Sequence, residues 1–291
     1  MSALLDGLPS GARIAVIRLR SLGDCVLTTP SLALLKAYRP DLRISVIVEP
    51  RFAPVFEDNP DVDEIRESAC AADLALNFHG GTRSMILTAA TRAKLRCGFA
   101  HHRYSFIYSH KIPRAQQILG DERPVHTAEH LASAMFWLGV PRAEIPRARL
   151  FAAPAEIAGP YFVIHPFASA EDKTWPSARF LEIAKRARCI FLAGPDDDIR
   201  PFARFEVLRN APLERVKSLI SGAQLFLGND SGPAHVAAAF GVPVVVLFGA
   251  SHPATWAPWR TEAQVLTSRA GIGGISVDEV LAAIESLKVR A

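Results

Sequence analysis

The chain has 291 residues, of which 49% are hydrophobic and 21% charged, with a net charge of +4. This length and composition predict a soluble globular protein of about two domains and argue against a disordered or fibrous chain. No apolar run approaches the roughly 18 residues of a membrane-spanning helix, and the first residues, MSALLDGLPSGAR, do not resemble a secretory signal.

Strand and helix patterns alternate through the first half of the chain, which is typical of an α/β fold with parallel sheets. We predict strands over 13–19, 42–48 and 73–77, and helices over 24–38, 83–94 and 127–138. Residues 139–160 are rich in Pro, Ala and Gly and have no clear periodicity. They are the best candidate for a linker.

A second alternation follows the linker. We predict strands over 161–165, 189–193, 224–227 and 243–248, and helices over 177–188, 213–221, 233–240 and 277–288. The pattern therefore predicts two α/β domains, 1–150 and 151–291, with a cleft between them. As an alternative, the last helix packs back on the first domain.

The stretch GNDSGPAHVAAAFGVPVVVLFG, residues 228–249, is the most informative part of the sequence. An apolar strand ends at Gly228 and leads into a helix, with Ser231 as a suitable N-cap and Pro233 in the first turn. A strand that runs into a helix N-terminus presents N–H groups and a positive dipole end at the carboxyl edge of the sheet. The stretch therefore predicts a nucleotide or sugar-phosphate site.

The turn Ser21-Leu22-Gly23-Asp24 follows the first predicted strand directly. Gly23 permits a tight turn, and the start of a helix stabilises the ionised carboxylate of Asp24, as a general base requires. The alternative is that Asp24 only caps the helix. Glu49 stands where a ribose-binding acid would lie, but the turn lacks GxGxxG, which argues against an NAD dehydrogenase.

Three other features of the sequence have both a functional and a structural interpretation. Asp196-Asp197-Asp198 follows a strand and could contact a ribose, cap a helix or hold a metal. Lys173, between a strand end and a helix, could neutralise a phosphate or simply face solvent. The sequence HTAEH, residues 126–130, matches H-x-x-E-H, but no third ligand is evident and a helix start explains it better. We predict no metal site.

The segment 92–114 contains six Arg or Lys and three His and no Asp or Glu, with four aromatic residues interleaved. It is either a solvated basic loop or a patch for an anionic lipid or sugar phosphate; nucleic acid is the least favoured partner. The four cysteines, Cys25, Cys70, Cys97 and Cys189, form neither a CxxC pair nor a metal spacing. We expect reduced thiols in a cytosolic protein.

Taken in order, these pieces resemble glycosyltransferase family nine, the ADP-heptose:lipopolysaccharide heptosyltransferases. The resemblance covers nearly the whole chain and lies in RLRSLGDCVLTTPSL (18–32), HGGTRS (79–84), HPFASAEDKTWP (165–176), LAGPDDD (192–198) and the stretch 228–249. It implies a GT-B architecture, with two Rossmann-like domains facing a central cleft. The acceptor would bind the N-terminal domain and the nucleotide-sugar the C-terminal domain.

The resemblance also implies roles for individual residues in an inverting, metal-independent transfer without a cofactor. Asp24 matches the catalytic base. The donor-binding positions are Ser169, Lys173, Asp197 (or Asp196), Ala211, Asp230, Ser231, Gly232 and His235. The acceptor-binding positions are Gly23, Arg83, Arg96 and Arg103. The basic segment matches the family only loosely, and the connections 60–75 and 196–213 are shorter than is typical of it.

The resulting hypothesis is a glycosyltransferase that moves a heptose from ADP-heptose to an anionic glycolipid of the lipopolysaccharide core. The expected location is cytoplasmic, with peripheral contact at the inner membrane as an open alternative and no nucleic-acid partner. A nucleotide-sugar epimerase and a non-catalytic nucleotide-sugar-binding module on the same scaffold are the rival hypotheses. Donor conversion without acceptor would indicate the first, and nucleotide binding without turnover the second.

Overall fold

The computed structural model describes residues 4–287, and the chain divides into two compact units, Met1–Arg149 and Leu150–Ala291. The regular elements of the first unit are β1 (Arg13–Ile17), α1 (Leu22–Tyr38), β2 (Arg43–Ile47), β3 (Glu64–Arg66), β4 (Leu74–Asn77), α2 (Thr82–Ala90), β5 (Leu95–Phe99), β6 (His110–Ile112), α3 (Ala115–Leu119) and α4 (Thr127–Leu138), with 3₁₀ turns at Pro50–Val55 and Ser105–Ile107.

The second unit follows an irregular connection. Its regular elements are β7 (Phe162–His165), α5 (Ser177–Ala184), β8 (Cys189–Ala193), β9 (Glu206–Arg209), α6 (Leu213–Ser221), β10 (Leu225–Asn229), α7 (Gly232–Phe240), β11 (Val244–Phe248), α8 (Pro253–Trp256), β12 (Ala263–Thr267) and α9 (Val277–Ser286), with 3₁₀ turns at Glu171–Lys173, Arg200–Phe202 and Ile272–Gly274. α9 packs against α5, β11 and β12 of the same unit. The predicted end of this helix at Lys288 lies outside the described residues.

Each unit contains, within residues 4–287, a six-stranded sheet whose neighbouring strands are all parallel. The strand order is β3-β2-β1-β4-β5-β6 in the first unit and β12-β11-β10-β7-β8-β9 in the second. Counted within each unit, both are the doubly wound order 3-2-1-4-5-6, which reverses between the first and fourth strands. Ligands of such sheets bind at this switch point, beyond the carboxyl ends of the strands.

The central strands form the core of each unit because a parallel sheet is covered on both faces. β4, β8, β10 and β11 are buried along their whole length. In the second unit the indole of Trp175 is fully buried and meets the Phe180 ring edge-on at 4.8 Å. Its Nε1 donates to the backbone oxygen of Ile275 at 2.9 Å, so this ring fixes the segment between β7 and α5 to the core.

The sequence predictions of the central strands and long helices agree with the structure to within a few residues. Five strands were not predicted: β3, β5, β6, β9 and β12. Two predicted helices are too long: α2 ends at Ala90 because Arg92 adopts a positive φ of 55°, and α5 ends at Ala184. α1 begins at Leu22 instead of Asp24, so Asp24 is its third residue and not its cap.

The interpretation of 92–114 as a basic loop is wrong, because the segment contains β5, a 3₁₀ turn and β6. β5 and β6 are parallel, so the chain between them crosses back over one face of the sheet. Gly98 makes this crossing possible: a Cβ there would lie 2.3 Å from the ring of Tyr108, which packs against the strand.

All four cysteines are free. Burial raises the pKa of the Cys25, Cys97 and Cys189 thiols to about 12, so these thiols are protonated at neutral pH. Between residues 4 and 287, no helix has both the length and the apolar character needed to cross a bilayer.

Replacing Trp175 by alanine is expected to lower the free energy of unfolding by about 3–5 kcal/mol, because the core of the second unit collapses only partly around the lost ring. Trp175→Phe keeps an aromatic ring and loses the hydrogen bond to Ile275, so a loss of about 1–3 kcal/mol is expected. Urea denaturation followed by circular dichroism measures both values. A W175A protein as stable as the parent would contradict the packing argument.

Candidate active site

The turn between β1 and α1 lies at the switch point of the first sheet. Ser21, the N-cap of α1, has φ 70° and ψ 118°, a conformation that a non-glycine residue rarely adopts. Its backbone oxygen accepts from Cys25 N at 2.9 Å. Gly23 is buried in the first turn of the helix. The strained turn brings Asp24 back beside the end of β1.

Asp24 is held there by Arg18, the first residue after β1. One nitrogen of the guanidinium donates to Asp24 Oδ1 at 2.6 Å, and another donates to the backbone oxygen of Phe78 at 2.8 Å. The Arg18 side chain is 9% exposed and that of Asp24 is 22% exposed. Because Phe78 follows β4, the buried guanidinium connects both strands of the switch point and leaves the carboxylate partly open to solvent.

Other polar groups surround this pair. Arg18, Arg20, Asp24 and Glu49 all act electrostatically on His79, whose pKa is lowered mainly by burial. Arg83, at the start of α2, forms an exposed ion pair of 3.3 Å with Glu49, the residue that precedes the 3₁₀ turn after β2. The structure therefore brings Asp24, Glu49 and Arg83 to one edge of the sheet.

Histidine rings extend this edge. His130 stacks on Phe99 with ring centroids 4.0 Å apart, and His102 Nδ1 lies 3.0 Å from the hydroxyl of Tyr108. Burial lowers the pKa of His102 and of His130 to about 4, with Arg18 adding to the effect. At neutral pH both rings are uncharged and add no positive charge beside Arg18.

Two predicted acceptor residues, Arg96 and Arg103, differ in their surroundings. The guanidinium of Arg96 donates to the backbone oxygens of Ile107 at 2.8 Å and Ala93 at 3.0 Å, which ties β5 to the crossing segment. Arg103 is exposed, and its guanidinium lies 5.4 Å from the centroid of the Tyr104 ring. The contacts of Arg96 are structural, whereas Arg103 is accessible to a ligand.

In the second unit, the switch point is formed by the ends of β7 and β10. Ser231 is the N-cap residue of α7, as predicted, but its side chain does not cap the helix. Its hydroxyl instead lies 3.1 Å from Nδ1 of His165, at the end of β7. Desolvation lowers the pKa of His165 to about 4, opposed by the charge of Asp197. The neutral imidazole therefore orients the hydroxyl without adding charge.

Asp230 precedes Ser231 and is half-buried. Burial raises the pKa of its carboxyl group, while a hydrogen bond from Ser251 and the charge of Lys173 oppose the shift. Lys173 therefore lies close enough to Asp230 to act on it. The structure thus brings Lys173, Asp230 and Ser231 to the same switch point.

The segment that contains Lys173 is fixed by close packing. The side chain of Asn229 is completely buried: it accepts from Trp175 N at 3.1 Å and donates to the backbone oxygen of Pro166 at 2.9 Å. Gly249, just after β11, permits the contact from the other side, since a Cβ there would lie 1.9 Å from the backbone oxygen of Asp172. The contacts of Asn229 and Gly249 therefore fix the position of the backbone that carries Lys173 at the carboxyl edge of the sheet.

The remaining donor candidates lie along the same edge. Asp197 accepts from Gly194 N at 2.7 Å in the turn after β8, and Ala211 follows β9. Asp196 is exposed, and so is Ser169, in the loop after β7. Gly232 begins α7, and His235, in its first turn, is buried with its ring centroid 6.3 Å from that of Trp256.

The sequence did not assign roles to Arg18, His165 and Asn229, although all three lie inside the quoted motifs. The signal that could have identified them is a polar residue at the end of a buried strand, since such residues lie at the edge where ligands bind. Glu49 was considered only as the ribose-binding acid of a dinucleotide site, an activity that the sequence argued against. H-x-x-E-H has a structural explanation: His126 and Glu129 form the capping box of α4. In the part of the chain that the structure describes, no group of three His, Cys, Asp or Glu side chains could hold a metal ion.

Comparisons with known proteins agree with this architecture. Residues 65–272 match the family model Glycosyltransferase family 9 (heptosyltransferase). Lipopolysaccharide heptosyltransferase 3 of Escherichia coli is 26% identical over 287 aligned positions, which cover 81% of this chain and 83% of the relative.

Solved structures show the same fold at lower sequence identity. A glycosyl transferase of family 9 from Veillonella parvula DSM 2008 superposes with a TM-score of 0.86 at 21% identity, covering 97% of this chain and 98% of the other. E. coli heptosyltransferase WaaC with ADP gives a TM-score of 0.78 at 18% identity, covering 94% and 99%. The chain belongs to glycosyltransferase family 9 and is a glycosyltransferase with the two Rossmann-like domains of the GT-B architecture.

Proposed function

We propose that the protein transfers a heptosyl group from ADP-heptose to a glycolipid acceptor of the lipopolysaccharide core, with inversion at the anomeric carbon. Membership of a heptosyltransferase family supports the reaction type. Relatives named for lipopolysaccharide heptosyl transfer and a solved relative with bound ADP support the substrates. The single observation that carries the proposal is the Arg18–Asp24 pair at the switch point of the first sheet.

Asp24 acts as the general base. The acceptor hydroxyl gives its proton to the carboxylate while its oxygen attacks the anomeric carbon, and the bond from that carbon to the ADP oxygen breaks. The ADP leaves with the bonding electron pair. The guanidinium of Arg18 holds the carboxylate in place at 2.6 Å, and the exposed part of the side chain is available to the acceptor.

The second unit stabilises the leaving group. The departing diphosphate gains negative charge in the transition state, and preorganised positive groups stabilise that charge. Lys173 supplies a full charge, and the N-terminus of α7 at Ser231 and Gly232 supplies a positive dipole end. At the neighbouring strand ends, Asp197 is assigned to the ribose of the donor and Ala211 to its nucleobase. This proposal uses no metal and no cofactor.

The acceptor is assigned to the basic edge of the first unit. Arg103 and Arg83 are exposed and cationic, which suits a phosphorylated glycolipid. We place the protein in the cytoplasm, where a nucleotide-sugar is available, with its acceptor held in the inner membrane.

Asp24→Asn is expected to lower turnover by roughly 10²–10⁴-fold, the usual contribution of a general base. The amide still accepts a hydrogen bond from Arg18, so the fold and ADP affinity should be preserved. Transfer from ADP-heptose to a heptose-deficient core acceptor measures turnover, and calorimetry measures ADP affinity. Asp121→Asn, an exposed acid also paired with an arginine, is the matched control. Near-normal turnover of D24N would contradict the assignment.

Lys173→Ala is expected to weaken ADP binding by roughly 10- to 100-fold, because a charge-assisted hydrogen bond to the diphosphate is lost. Lys185→Ala removes an exposed lysine of the same unit and should leave binding unchanged. Calorimetric titrations with ADP, UDP and GDP, first without metal and then with magnesium, test which nucleobase the donor site prefers. Preference for UDP or GDP would overturn the ADP-heptose assignment while leaving a glycosyltransferase.

A further inference from the structure

We propose that an exposed apolar pair, Phe106 and Ile86, carried by a stretch of the first unit that is rich in Arg and Lys, docks the protein on an anionic lipid bilayer. Within residues 4–287 these are the two large hydrophobic side chains that are exposed, Phe106 by 72% and Ile86 by 58%. This inference rests on the proposed function, because it concerns how the enzyme reaches a membrane-held acceptor.

The topology places the two residues on the same side of the sheet. α2 connects β4 to β5, and the segment 100–109 connects β5 to β6; both run from the carboxyl edge of the sheet back to its amino edge. The hydroxyls of Thr82 and Tyr104 lie 2.9 Å apart and join the two connections. Ile86 lies one helical turn beyond Thr82 on the same face of α2.

Phe106 is held outward by its neighbours. The ring of Tyr104 meets that of Phe106 edge-on at 6.3 Å, and Tyr108 packs inward against Gly98. Arg96 donates to the backbone oxygen of Ile107, the residue between Phe106 and Tyr108. The backbone around Phe106 is therefore anchored on both sides, and the exposed ring belongs to the 3₁₀ turn Ser105–Ile107.

The charge of the chain segments that carry the pair suits an anionic surface. From residue 74 to residue 120 the sequence contains seven Arg or Lys and no Asp or Glu. Arg103, Lys111 and Arg114 are exposed; Arg83 is partly offset by its pair with Glu49. Basic side chains are attracted to an anionic bilayer, and apolar side chains strengthen the binding by inserting at the headgroup boundary.

A bilayer fits better than a nucleic acid. An aliphatic side chain such as that of Ile86 cannot stack with a nucleic-acid base, whereas both exposed side chains are stabilised by entering the lipid interface. A second copy of the chain would also cover an apolar pair, and the oligomeric state therefore enters the test.

The experiment measures co-sedimentation of the full chain with vesicles of phosphatidylethanolamine and phosphatidylglycerol in equal amounts, and with pure phosphatidylcholine vesicles. Binding to the anionic vesicles that weakens with added salt is expected. Phe106→Ser and Ile86→Ser should each reduce it by roughly tenfold. Phe106→Trp keeps a ring suited to the interface and should retain binding. Both serine variants should transfer heptose to a deacylated, water-soluble acceptor at the parental rate.

Equal binding of the parent and both serine variants, or equal binding to neutral and anionic vesicles, would overturn the docking surface. A change in molecular mass on Phe106→Ser, measured by analytical ultracentrifugation, would also overturn it, because the pair would then be an interface between copies. Vesicle binding requires no sugar donor. If the parent chain transfers heptose but its vesicle binding does not depend on Phe106, the docking surface alone is refuted. If its vesicle binding depends on Phe106 but it transfers no heptose, the proposed function alone is refuted.

Discussion

The parallel arrangement of each sheet is the constraint on which the rest of the structure depends. When all strands run the same way, all their carboxyl ends meet at one edge, and at the switch point the connections diverge to opposite faces. This chain uses the same order in both units, so β1 and β4 in one and β7 and β10 in the other frame equivalent positions. Residues more than sixty positions apart, such as His165 and Ser231, become neighbours for this reason.

A buried polar side chain then makes each switch point rigid. Arg18 joins Asp24 to the backbone after β4, and Asn229 joins the segment after β7 to the backbone of Trp175. In both cases a side chain at a strand end supplies the hydrogen bonds that the departing loops would otherwise lack. The residues proposed as general base and phosphate ligand, Asp24 and Lys173, remain partly exposed, while Arg18 and Asn229 occupy the buried positions.

The sequence predicts the backbone of these sites better than their contacts. Buried strands and small or polar turn residues are visible locally, so the turns at Asp24 and Ser231 are predictable. The partner of Arg18 at Phe78 lies 60 residues away and cannot be read from a local pattern. β3 and β9 are short edge strands with exposed acidic and basic residues, and β5 contains Gly98, which weakens its strand pattern and makes sense only beside Tyr108.

The Arg18–Asp24 pair is better explained by function than by stability. Removing a guanidinium and a carboxylate from water costs several kcal/mol, and their attraction inside the protein rarely returns more than that. Here Arg18 is almost fully buried, while Asp24 keeps 22% of its side chain exposed, so the cation bears most of the desolvation. The guanidinium fixes the direction of a carboxylate that stays partly exposed, as the proposed role of a general base requires.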